Sequence, residues 1–164
     1  MSAEFWEVGS YVVTVIGLPL AIFVFLYEQR KERENEEEEV YQLVSDNYQD
    51  FLRIALENPD LRLFSTTEIP PLNDEQKERL TIIFSMLVSL FERAYLLLYE
   101  EDMAPKQARR WNSWEDYIVE WCHKPHFRAL LPKLLTGEDP SFAAYIEKMA
   151  GIASQNSPPV IKLD

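Results

Sequence analysis

Glu120-x-x-His123 is the first place in this chain where residue types and spacing suggest chemistry. Residues three apart share a helix face, and a carboxylate–histidine pair at that spacing is half of what a di-iron bundle uses. Such a centre needs a second pair and two further carboxylates on facing helices. The only other histidine is His126, and His123 stands three residues before it where a Glu is required. Ligand count therefore excludes a di-iron centre.

Cys122, His123 and His126 form a second candidate, a single metal site. Three ligands are too few for a closed zinc site and suffice only for an open one. Pro125 interrupts the helical spacing between the histidines. The plainer reading is a helix C-terminus, where histidine favours the dipole. Four consecutive carboxylates, Glu36 to Glu39, could attract a hard cation. Calcium loops, however, bend their oxygen ligands into set positions that a straight helical run does not supply.

Nucleophilic and phosphate chemistry find no footing. Helical ribonucleases that use Arg-x(4–6)-His need an arginine ahead of the histidine. The corresponding positions hold Asp116, Tyr117 and Ile118 before His123, and Val119, Glu120 and Trp121 before His126. No phosphate loop, G-x-S-x-G elbow or H-E-x-x-H is present. The expectation is a protein that is not an enzyme, with no catalytic residue, no metal and no cofactor. Three of the four tryptophans, Trp111, Trp114 and Trp121, fall at helical spacing. They make either a packed stripe or, if exposed, an interaction surface; the spacing itself favours packing.

These residues must be held by something, and composition narrows what. A chain of 164 residues is the size of one domain. The net charge of −12 opposes nucleic-acid binding, which needs a Lys/Arg surface. A single Cys excludes disulfide frameworks and multi-Cys metal sites.

Val8 to Tyr27 (VGSYVVTVIGLPLAIFVFLY) is twenty residues without a charge. At 1.5 Å per residue that length crosses a ~30 Å hydrocarbon core. A cleaved signal peptide fits less well, because Glu4 and Glu7 precede the run where Lys or Arg is expected. Arg30, Lys31 and Arg33 follow the run, so the positive-inside rule places the N-terminus outside and the rest in the cytoplasm. Ser10, Thr14, Gly17 and Ala21 lie on one face of this segment, a small-residue stripe of the kind that lets membrane helices approach. Pro19 can kink it.

Expected organisation is an external segment 1–7, a transmembrane helix 8–27, a charged helical stalk 28–39, a cytoplasmic helical domain 40–153 and a flexible tail 154–164. The fold class is all-α: a membrane helix continuing into a stalk and a small bundle. Val40, Val44, Tyr48, Phe51, Leu52 and Ala55 recur at helical spacing until Asn58-Pro59 stops the helix. Leu61, Leu63 and Phe64 should tuck against the core. Asn73 or Asp74 can cap a long apolar helix whose inward residues run from Leu80 to Leu98. Glu92 and Arg93 interrupt its middle, each costing roughly 2.5–3.5 kcal/mol at a bilayer centre, so a core helix is preferred to a second span. Pro105 opens the Trp-bearing helix, Pro125 ends it, Thr136-Gly137 stops the next segment and Asp139-Pro140 starts the last.

The order of these pieces resembles certain uncharacterised bacterial single-pass membrane proteins. The matching residues are the span and stalk, Glu57-Asn58-Pro59-Asp60-Leu61, the three tryptophans, Pro125-His126-Phe127-Arg128 and Phe142-Ala143-Ala144-Tyr145-Ile146. The resemblance implies architecture and the inner membrane; no activity attaches to that family. The expected function is a membrane-anchored, non-enzymatic interaction or scaffold protein. Its partners would be the lipid bilayer and either a cytoplasmic protein or further copies of itself. The alternative is a homo-oligomeric membrane effector or pore-forming protein of a bacterial defence or stress system.

Overall fold

A computed structural model describes residues 17–67 and 69–156, and every regular element in that range is helical. Five α-helices run in order: α1 (Leu18–Glu57), α2 (Asp74–Leu98), α3 (Pro105–Cys122), α4 (Pro125–Leu134) and α5 (Pro140–Asn156), with a 3-10 turn at Pro59–Leu61. The backbone divides into two compact units, Met1–Val40 and Tyr41–Asp164. Of the expected membrane segment, residues 8–16, with Ser10 and Thr14, lie outside the described range.

In the first unit the charged run 28–39 is uninterrupted helix with every residue exposed. Gly17 is half-buried at the start of the described chain, and Ala21 is exposed.

The second unit is built on α2. Its first turn carries a reciprocal capping box: the Gln76 backbone N–H donates to Asn73 Oδ1 (2.8 Å), and the Asn73 N–H donates to Gln76 Oε1 (3.0 Å). This satisfies two backbone donors that a helix start leaves orphaned. Leu80, Ile83, Phe84, Leu87, Val88, Phe91 and Leu98 are buried as their spacing requires. α2 packs against α3, α4 and α5, and α3 packs against α4 and α5. Among the described residues α2 is also the one helix long and apolar enough to cross a membrane.

The Asn58-Pro59-Asp60-Leu61 stop does more than end α1. Leu61 is fully buried, and Arg62 turns the chain in the left-handed region (φ 48°). Asn58 Oδ1 and Asp60 Oδ2 both accept from the Arg79 guanidinium (3.0 and 2.8 Å), and Asp60 also accepts from Gln76 Nε2 (3.0 Å). The Gln76 hydrogen bond and the nearby Arg79 charge hold the Asp60 carboxyl below its usual range. The motif thus ties the end of α1 to the first turns of α2. Leu63 is buried as expected, whereas Phe64 is half-exposed, lying over Trp121 instead of beneath it (centroids 4.9 Å apart). At the other end of the bundle α5 runs through Asn156, beyond the expected boundary at 153.

Replacing Trp121 with Ala should cost about 3–5 kcal/mol, the usual penalty for emptying a large aromatic site in a packed interior. Asn73→Ala should cost about 1 kcal/mol through loss of the cap. Urea denaturation of the full chain in detergent, followed by circular dichroism, ranks the two.

Candidate functional site

The helical period places Trp111, Trp114, Ile118 and Trp121 on one face of α3, and all four are buried. The tryptophans are therefore not an exposed interaction surface. Each indole is instead the centre of its own aromatic cluster, because the stripe is long enough to meet different neighbours along its length. Trp111 meets Tyr95 and Tyr99 from α2 and its end, and Tyr145 from α5. Trp114 meets Tyr48 of α1 and Tyr117 of α3 itself, both edge-on at 5.8 Å. Trp121 meets Phe51, Phe64, Phe84 and Phe127.

Polar groups are threaded among these rings. Trp121 Nε1 donates to the Tyr48 hydroxyl at 3.2 Å, and burial pushes the Tyr48 phenol up. Tyr145 donates to Glu115 Oε1 at 2.6 Å; burial first, then that carboxylate, raises the Tyr145 phenol strongly. Lys124 is the only charged side chain buried among the described residues. Pro125 forces residue 124 out of the helical region (φ −82°, ψ 118°), between α3 and α4. Its ammonium reaches back to Glu120 Oε1 at 3.0 Å and lies 4.8 Å from the Trp121 ring centroid and 5.4 Å from that of Phe64. A carboxylate on one side and two π faces on the others replace the water a buried ammonium gives up.

Between α1, α3 and the loop after the 3-10 turn lies a cavity of about 320 Å³. Tyr41, Tyr48, Phe64, Trp114 and Tyr117 supply its aromatic walls, with Ser45, Gln49 and Leu52 between them. A larger open groove, about 500 Å³, separates α1 from α2 and is lined by Phe51, Ile54, Met86 and Leu90, with Asp50 and Arg93 among its polar residues.

The candidate metal ligands take up other work. Burial pushes the Cys122 thiol up to about 12, so it is protonated and inert. His123 Nδ1 lies 2.9 Å from the Val119 carbonyl, one turn back on α3. His126 Nε2 lies 3.2 Å from the Leu63 carbonyl, so Nε2 carries the proton. Burial lowers the His126 pKa, and its Nδ1 is buried without a partner. Among the described residues no three His, Cys, Asp or Glu side chains converge on a metal-sized site.

One acid pair has no signature in the sequence. Gly137 ends the α4 stop with φ 98°, a conformation that strains any residue with a Cβ. The turn it allows brings Glu138 to Glu92 of α2, and Glu92 Oε1 accepts the Asp139 backbone N–H. Burial, then the hydrogen bond to Glu92, raises the Glu138 carboxyl to about 7 from an ordinary 4.5. Spacing gives no warning of this pair, since 46 residues separate the partners.

A raised folded pKa means that the folded state holds the extra proton. The stabilisation is complete below about pH 4.5 and is lost as pH rises to about 7. The melting temperature should therefore decline across that window by more in the wild type than in Glu138→Gln, whose amide mimics the protonated carboxyl. A difference curve of Tm against pH from 4 to about 8 isolates the pair from carboxylates such as Asp60, whose lowered pKa acts in the opposite sense and at lower pH.

No family model, curated protein or solved structure matches this chain, so its own residues must carry any functional conclusion.

Proposed function

We propose that this protein is a membrane-anchored, non-enzymatic interaction protein: residues 8–27 cross the bilayer and the helical unit that follows binds a protein partner. The observation that carries the reading is the start of α1. Leu18, Leu20, Ile22, Phe23, Val24, Phe25, Leu26 and Tyr27 are each 44–67% exposed, and no polar face divides them. Covering eight such side chains is worth on the order of 10 kcal/mol, comparable with the whole stability of a small domain. A helix of this kind is not left in water. The charged run beginning at Glu28 ends the apolar segment abruptly, as a membrane boundary would.

Arg30, Lys31 and Arg33 support a cytoplasmic position for residues 28–164. The outward side of α2 supports the interaction role: Ile82, Met86, Leu96 and Leu97 are 45–58% exposed, on a helix whose other side is the core.

Alkaline carbonate extraction of expressing cells tests the anchor. The wild type should stay in the membrane pellet, and the double variant Ile22→Lys, Phe25→Lys should move to the supernatant, each Lys costing about 2.5–3.5 kcal/mol in the span. Release of the wild type would refute the anchor. Native mass spectrometry in mild detergent then tests the role: a monomer or dimer that cross-links to a second protein is expected. A discrete higher oligomer that loses its mass in Gly17→Leu would favour the effector reading instead.

A further inference from the structure

We infer that the cavity walled by Tyr41, Tyr48, Phe64, Trp114 and Tyr117 is a binding site for a small alkylated ammonium cation, such as a quaternary amine. This inference stands independently of the membrane anchor, since every residue in it belongs to the second unit.

Three segments build the site. Tyr41, Ser45, Tyr48 and Leu52 follow one another on a single face of α1, and Trp114 and Tyr117 stand one turn apart on α3. Phe64 comes from the loop that the Arg79 clamp holds in place. Trp114 and Tyr48 are 1% and 7% exposed and form the floor; Tyr117 and Phe64, 38% and 47% exposed, stand at the rim. Tyr48 and Tyr117 stack at 4.5 Å, and Trp114 meets both edge-on. The floor is closed and the rim is open.

The lining decides the chemistry. It contains no Asp, Glu, Lys, Arg or His, so a metal ion or free ammonium would lose its hydration and find no anionic ligand. A cation whose charge is spread over methyl groups loses little water and gains from each ring quadrupole it meets. The net charge of −12 raises the local concentration of any cation. About 320 Å³ is ample for a guest the size of choline.

The test compares a cation with its uncharged twin. Full-length protein in a non-ionic detergent is titrated with tetramethylammonium, with choline and with 3,3-dimethylbutan-1-ol, choline's isostere with carbon in place of nitrogen. Tryptophan fluorescence and calorimetry are the readouts, at constant ionic strength. Saturable binding of both cations at millimolar concentration or below is expected, with the neutral alcohol about tenfold weaker. Phe64→Leu, which keeps an apolar side chain without a ring, should weaken the cations about tenfold, as should Tyr117→Ala. Tyr117→Phe should bind within about threefold of wild type, because the ring and not the hydroxyl does the binding. Equal binding of the alcohol would overturn the inference, leaving an ordinary apolar cavity. So would cation binding insensitive to Phe64→Leu and Tyr117→Ala, or no saturable binding up to about 10 mM. The isostere comparison uses only wild-type protein, so it decides the matter even where a variant fails to fold.

Discussion

The Trp121 indole of α3 joins four other segments of this molecule. Its ring meets Phe51 of α1, Phe64 of the loop, Phe84 of α2 and Phe127 of α4, while its N–H is satisfied by Tyr48, one helical turn from Phe51. A large flat side chain can reach four segments at once, and its contacts with Phe51, Phe84 and Phe127 are edge-to-face, an arrangement aromatic pairs prefer. The Lys124 ammonium lies over the same ring. The assembled aromatic cluster and the Glu120 carboxylate together compensate the buried charge, and the cluster in turn loses a partner if the charge is removed.

Position along α3 distributes the remaining work. Trp111 organises the tyrosines at the end of α2 and on α5, and Trp114 closes the floor of the α1–α3 cavity. Three residues of one type, at one helical period, thus hold three different neighbourhoods. The breaks between helices set those neighbourhoods as much as the helices do. Pro125 puts Lys124 where it can fold back onto Glu120, and Gly137 lets Glu138 reach Glu92. Asn58 and Asp60 hold the turn after α1 against Arg79, which places Phe64 at the cavity rim.

Charge is divided along the chain as sharply as hydrophobicity. An exposed apolar segment at 18–27 gives way to exposed charge at 28–39, then to an amphipathic helix, all within α1. A single helix thus carries three surfaces of different polarity. The aromatic cavity, walled by rings from α1, α3 and the loop between α1 and α2, belongs wholly to the second unit.

The sequence by itself determined the helical class, nearly all the helix starts and stops, and the inward residues of α2 and α3. Those depend on local rules, namely period, caps and proline, that act within a turn or two. The capping box at Asn73 and the burial of Trp111, Trp114 and Trp121 are cases in point. Tertiary structure alone decided which rings meet, that Lys124 is buried, that Phe64 stays at a rim, and that Glu138 comes against Glu92. Each of these depends on groups brought together from different elements: Tyr48 and Trp121 are 73 residues apart, and Asn58 and Arg79 are 21 apart. Such pairings follow from how helices cross, and a linear pattern of residue types carries no record of that crossing.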